Sequence, residues 1–189
     1  RLSGGSFQRK QGCCGRYRAV AARLMPCANG RTRPGVKGTT FMTITSITRV
    51  STAADGTEGN KDSIDPAVSP DGTKVAFHSY ASNLVSSDAN AARDVFVKNL
   101  ITDDITRCST AASGVEGNRF SENPSISGDG TIVAFESYAN NLVIGDTNNI
   151  LDVFVKNVVS SEVVLASTPG AAVQGNGVSA NPALSADGR

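Results

Sequence analysis

Apolar residues in this chain fall in short unbroken runs rather than at helical spacing. Val75-Ala76-Phe77, Val95-Phe96-Val97 and Val133-Ala134-Phe135 each stand between turn-forming or polar residues. A 3.6-residue period is absent from this part of the chain, so the pattern predicts strands alone. Pro66–Ser79 reads as one strand, a tight turn at Asp71-Gly72, and a second strand. The same phrase returns at Pro124–Ser137 and begins a third time at Pro182–Arg189. The turn aspartates are Asp71, Asp129 and Asp187, which sets a period of 58 residues.

Ser51–Cys108 aligns with Ser109–Ala166 without a gap, with about half the positions identical. Each full copy predicts four strands. In the first they are Ile64–Ser69, Thr73–Ser79, Asp94–Leu100 and Asp104–Ala111; in the second they are Glu122–Ser127, Thr131–Tyr138, Asp152–Val159 and Glu162–Thr168. Asp71-Gly72 and Asp129-Gly130 close the first hairpins, because glycine takes positive φ at little cost. Thr102-Asp103 and Ser160-Ser161 close the second. Gly59-Asn60, Gly117-Asn118 and Gly175-Asn176 are expected to supply left-handed backbone in the loop between copies. The proline after Asp65, Asn123 and Asn181 is expected to start each first strand.

Continuous apolar runs mean sheets buried on both faces. Four antiparallel strands per copy, sandwiched between neighbouring copies, predict the blades of an all-β propeller. The expected layout is a leading strand at 42–51, blades at 52–108 and 109–166, and a truncated blade at 167–189. Propellers close with several blades, so the chain reads as an incomplete propeller fragment.

Charge divides the chain. Residues 1–41 hold nine Lys/Arg and no acid, while 42–189 hold nine basic against 17 acidic residues, a net of −8. The repeats therefore do not suit a nucleic-acid surface, where Lys and Arg meet phosphate. The basic segment 1–41 is expected to be a disordered or non-native leader, with Met42 as the native start, and has no apolar region of signal-peptide type. No stretch is apolar for long enough to span a membrane as a helix. Cys13, Cys14 and Cys27 lie in the leader without C-x-x-C spacing. Cys108 stands where Val50 and Ala166 stand one period away, the mark of a small buried apolar site.

Candidate chemistry is confined to one loop. Asp88, Asn90 and Asp94 recur as Asp146, Asn148 and Asp152, while the residues between them change. Oxygen donors gathered on a loop suit Ca²⁺, and these six residues are the candidate metal ligands. The competing reading is that Asp and Asn bond to their own backbone as Asx-turns. His78 is the single histidine and becomes Glu136 one period on, which points to a strand residue rather than a zinc ligand or catalytic base. Neither a P-loop nor G-x-S-x-G occurs, so no catalytic residue and no organic cofactor is assigned. Unrepeated loop residues, such as Arg93 against Leu151, are where specificity is expected.

The phrase Pro-x-[Val/Ile]-Ser-x-Asp-Gly-Thr-x-Val-Ala-Phe-x-Ser, followed by Asn-Leu-Val and Asp-Val-Phe-Val, resembles the TolB-type, WD-repeat-like propeller repeat over about residues 50–189. The resemblance implies a bacterial propeller, periplasmic or otherwise exported, that binds a protein partner without catalysis. A glycan partner, the propeller domain of a larger serine hydrolase or peptidase, and a purely structural array stand beside it as alternatives.

Overall fold

The structure is a computed structural model in which residues 20–24, 44–170 and 173–188 are described. It is all-β. Strand β1 (Val20–Leu24) pairs with β2 (Ile44–Arg49). One four-stranded sheet follows: β3 (Ser63–Val68), β4 (Lys74–Ser79), β5 (Asp94–Asn99) and β6 (Ile105–Arg107). A second repeats it: β7 (Ser121–Ile126), β8 (Ile132–Ser137), β9 (Asp152–Asn157) and β10 (Val163–Leu165). Strands lie in chain order within each sheet, and every neighbour is antiparallel. These are two successive propeller blades, as the 58-residue period predicts. Apart from Val20–Leu24, residues 1–41, including Cys13, Cys14 and Cys27, lie outside the described residues, and among the described ones no helix is long and apolar enough to cross a membrane.

The unbroken apolar runs serve two faces of each sheet. In β4, Val75 and Phe77 enter a core with Val50, Ala81, Leu84 and Phe96. Ala76 points the other way, into a core it shares with Val95, Val97 and Cys108 of its own blade and Val133, Phe135 and Phe154 of the next. Adjacent strands thus stand Phe opposite Phe, at Phe77–Phe96 and Phe135–Phe154, with ring centroids 5.9 and 6.0 Å apart. Cys108 is fully buried, and burial pushes its thiol up to about 12, which makes it inert packing.

Three expectations are adjusted. Outer strands β6 and β10 are three residues each, shorter than predicted. Beyond Arg107 a side chain continues the pairing: Ser109 Oγ accepts from Val95 N–H at 3.2 Å and donates to Asp94 Oδ1 at 2.5 Å. Gly59, Gly117 and Gly175 are not left-handed; a Cβ on Gly117 would lie 3.1 Å from the Ser109 carbonyl oxygen, so close approach requires the glycine. Pro66 and Pro124 sit not at the strand start but at a bulge, after Asp65 and Asn123 with φ of 52° and 51°. A bulge tolerates the missing N–H. The turns predicted at Asp103 and Ser161 are present, with φ of 62° and 64°.

Among the described residues, the tight turns that join strands within a blade lie at one end of the blades and the long connections leave from the other. At the turn end successive blades join through backbone: Asp71 N–H donates to Gly128 O at 3.1 Å, and Gly128 N–H to Ala186 O at 2.8 Å. At the loop end emerge the connections β4–β5, β6–β7 and β8–β9.

Candidate functional site

The Asp-x-Asn-x-x-x-Asp loops lie at this long-loop end. In the first, Asn90 closes an Asx-turn, its Oδ1 accepting from Ala92 N–H at 2.7 Å. Its amide donates to Asp94 Oδ2 at 3.2 Å and across to Gly117 O at 2.7 Å. Asp94 is fully buried at the head of β5. The structure also brings in Glu116, which lies outside the repeated motif. Carboxylate oxygens of Asp88, Asp94 and Glu116 gather within 4.8 Å of one another. Arg107, at the end of β6, enters the same cluster: its Nη1 lies 2.5 Å from Glu116 Oε1 and 3.9 Å from both Asp88 and Asp94, and its Nη2 donates to Ser87 O at 2.9 Å. Burial pushes Asp94 up to about 6, against the pull of the Ser109 hydroxyl and of Arg107, and burial raises Asp88 as well.

The second loop repeats the frame with a different centre. Asn148 Oδ1 accepts from Ile150 N–H at 3.0 Å, and its amide donates to Asp152 at 3.0 Å and Gly175 O at 3.1 Å. Arg107 is replaced by Leu165 and Glu116 by Gln174. The Gln174 amide donates to Asp146 Oδ1 at 2.6 Å and Asp152 Oδ2 at 3.3 Å, while its Oε1 accepts from Thr147 and Asn148 N–H. Burial raises Asp146 too. The donor set is of the type a hard cation takes. Its charge is partly met from within the chain, by a guanidinium in one copy and an amide in the other. The Arg107–Glu116 pairing is repeated one period earlier by Arg49 and Glu58. This exchange of Arg with Glu for Leu with Gln is readable in the sequence once both positions are compared together.

His78 belongs to a second coupled exchange. It is 1% exposed, and its Nδ1 accepts from Asn123 N–H of the next blade at 3.4 Å with Asp65 Oδ2 at 3.7 Å. Burial holds it down at about 4, and Nε2 has no hydrogen-bond partner among the described residues. In the next copy Glu136 accepts from Asn181 N–H and from Asn123 Nδ2. Asp pairs with His in one blade and Asn with Glu in the other, and each reaches an N–H of the following blade, so the position is an inter-blade latch.

Two lysines complete the set. Lys98 Nζ donates to Ala53 O at 3.1 Å and Asp103 O at 2.5 Å, and Lys156 Nζ to Thr110 O, Thr110 Oγ1 and Ala111 O at 3.0–3.1 Å. Both stems are buried, and burial lowers both ammonium groups. Each lysine holds the segment that leaves the preceding blade. Arg93, the loop residue singled out for being unrepeated, stacks over Tyr80 and Phe120 and pairs with Glu122.

No protein-family model and no curated protein matches the sequence. The chain is similar to solved structures of TolB and other β-propeller proteins. TolB from Acinetobacter baumannii is 16% identical over 66% of this chain and 24% of its own, with a TM-score of 0.39. The putative TolB from Agrobacterium tumefaciens is 19% identical over 64% of this chain and 36% of its own, at 0.38. The β-propeller domain of the Trilobed protease from Pyrococcus furiosus is 16% identical over 56% of this chain and 27% of its own, at 0.37. The chain thus spans about a quarter to a third of the length of these proteins.

Proposed function

We propose that these blades form a non-enzymatic binding platform for a protein partner, working at the long-loop end in an exported, periplasmic or extracellular setting. The observation that carries it is the asymmetry of the two ends. Both ends are tied blade to blade by backbone hydrogen bonds, Asp71 to Gly128 and Gly128 to Ala186 at the turns and Ser121 to Arg93 and Ser179 to Leu151 at the loops, but the turn end repeats its Asp-Gly residues in every copy. The loop end gathers residues that change chemical class between copies: Arg93 to Leu151, Arg107 to Leu165, Arg119 to Gly177, Phe120 to Val178 and Glu122 to Ala180. A rigid scaffold that varies its loops is how binding surfaces are built.

Ca²⁺ at the two acidic loops belongs to the same proposal as a stabiliser of that face, supported by the convergence of Asp88, Asp94 and Glu116. It would share those carboxylates with Arg107.

A photo-crosslinking residue tests the platform. Ile144 at the loop end and Val159 at the turn end are matched, exposed β-branched residues. Irradiation in the cells that make the protein is expected to yield a protein adduct from position 144 and none from 159. Adducts from both positions alike, or from neither, overturn the reading.

A further inference from the structure

Between the two blades, at the loop end, lies a cleft of about 780 Å³, within the range of small-ligand sites. Its floor is the Arg93 guanidinium, 5.0 Å above the Tyr80 ring and 5.5 Å from that of Phe120, held by Glu122. Arg119, Phe120 and Tyr138 form its sides. Phe120 is 45% exposed and Tyr138 38%, so two aromatic faces open on the cleft. Arg119 is exposed and has no ion-pair partner among the described residues.

The repeat acts as an internal control. A residue kept for blade packing has the same counterpart 58 residues on, as Tyr80 has in Tyr138 and Asn90 in Asn148. Arg93, Arg119, Phe120 and Glu122 become Leu151, Gly177, Val178 and Ala180, so the same position in the fold is built without a charge or a ring. Packing therefore does not require these four, and all four converge on one cleft.

The free groups decide the ligand. A sugar needs several unspent amide or hydroxyl partners for its hydroxyls. Here Asn90 is committed to Ala92, Asp94 and Gly117, and Asn118 is clasped reciprocally with Asn140 at 2.7 and 3.2 Å. What stays available is one uncompensated guanidinium, the single Tyr138 hydroxyl and two aromatic faces, too few partners for a ring of sugar hydroxyls and suited to a carboxylate next to an apolar group.

We infer that this cleft takes an extended peptide segment in which an acidic residue adjoins an aromatic or aliphatic one, the carboxylate on Arg119 and the apolar side chain on Phe120 and Tyr138. The inference rests on the binding-platform reading and assigns that platform a site and a ligand chemistry.

The test is to pan a random heptapeptide library on the full chain. Enriched peptides are expected to place Asp or Glu beside an apolar residue. The double variant Arg119→Gly with Phe120→Val, which installs the residues found one period on, is expected to lower their affinity at least about tenfold, a loss typical of removing central anchors. Arg119→Glu, a change on an exposed side chain that leaves packing alone, is expected to do the same. No enrichment on the parent chain overturns the inference. Peptides held equally by both variants overturn the cleft while leaving a binding platform standing. An Arg119-dependent signal on an oligosaccharide array, with the peptide library silent, assigns the cleft to a glycan and overturns the peptide.

Discussion

Two buried titratable groups, His78 and Asp94, pull the pH dependence of this fold in opposite directions. Burial holds His78 at about 4, below the 6.5 of the free side chain. Across that window the unfolded chain binds a proton that the folded chain refuses. Stability from this group is full above 6.5 and falls, by up to about 3 kcal/mol, as pH drops toward 4. Burial raises Asp94 from 3.8 to about 6. There the folded chain keeps a proton that the unfolded chain has released, so stability falls by a similar amount as pH rises from 4 to 6, about 3 kcal/mol. The two slopes offset each other between pH 4 and 6. His78→Gln is expected to leave the Asp94 slope, with a midpoint in urea that falls from pH 4 to 6 relative to the parent chain. Asp94→Asn is expected to leave the opposite slope. Urea melts of both variants at pH 4, 5 and 6.5 check this, and parallel slopes in the two would show that neither group titrates as argued.

At the scale of elements, blades are joined by long side chains that reach one blade back or forward. Lys156 donates three bonds to Thr110 and Ala111. Lys156→Met keeps the stem but strands those carbonyls, and is expected to cost about 2 kcal/mol in denaturant melts, in the range for hydrogen bonds to a charged group. Arg107 and Ca²⁺ would compete for the same three carboxylates. Arg107→Leu, which copies Leu165, is therefore expected to gain Ca²⁺-dependent stability. Its melting temperature should rise with millimolar Ca²⁺ and fall back with chelator, by more than the parent chain moves. A parent chain that responds as strongly as the variant would show that Arg107 does not hold the site. The four-strand plan, the turns and the Asp-x-Asn-x-x-x-Asp loop were legible because local rules write them: short unbroken apolar runs, positive φ at turns, recurrence at a fixed period. Glu116, Arg107 and Gln174 were not, because they join the loop from the next connection and carry no signal at the motif's own spacing. Only the paired exchange between copies, Arg with Glu against Leu with Gln, points to them. Gly117 was read as a conformational glycine when the Ser109 carbonyl beside it sets the requirement; close approach between segments has no local signature.

At the scale of the molecule, the period predicted stacking, and the structure shows what the stack shares. Ala76, Val95 and Val97 of the first blade lie in one core with Val133, Phe135 and Phe154 of the second. In a repeat array stability is a sum of unit terms and interfaces between neighbours, and this core is the interface. Removing Phe135, which is fully buried against Phe154, should therefore weaken both blades rather than its own alone. Phe135→Ala is expected to cost about 3–5 kcal/mol, the usual range for a large core aromatic. Hydrogen exchange followed by mass spectrometry locates the effect. Amides of β4 and β5 are expected to lose protection together with those of β8 and β9, because the first blade loses the face that covers Ala76. The strands' own hydrogen bonds are untouched by the substitution, so any loss in β4 and β5 must pass through the shared core. Loss confined to β8 and β9 would mean that each blade opens on its own, and that a partner seated in the cleft between them meets two independent surfaces rather than one rigid face.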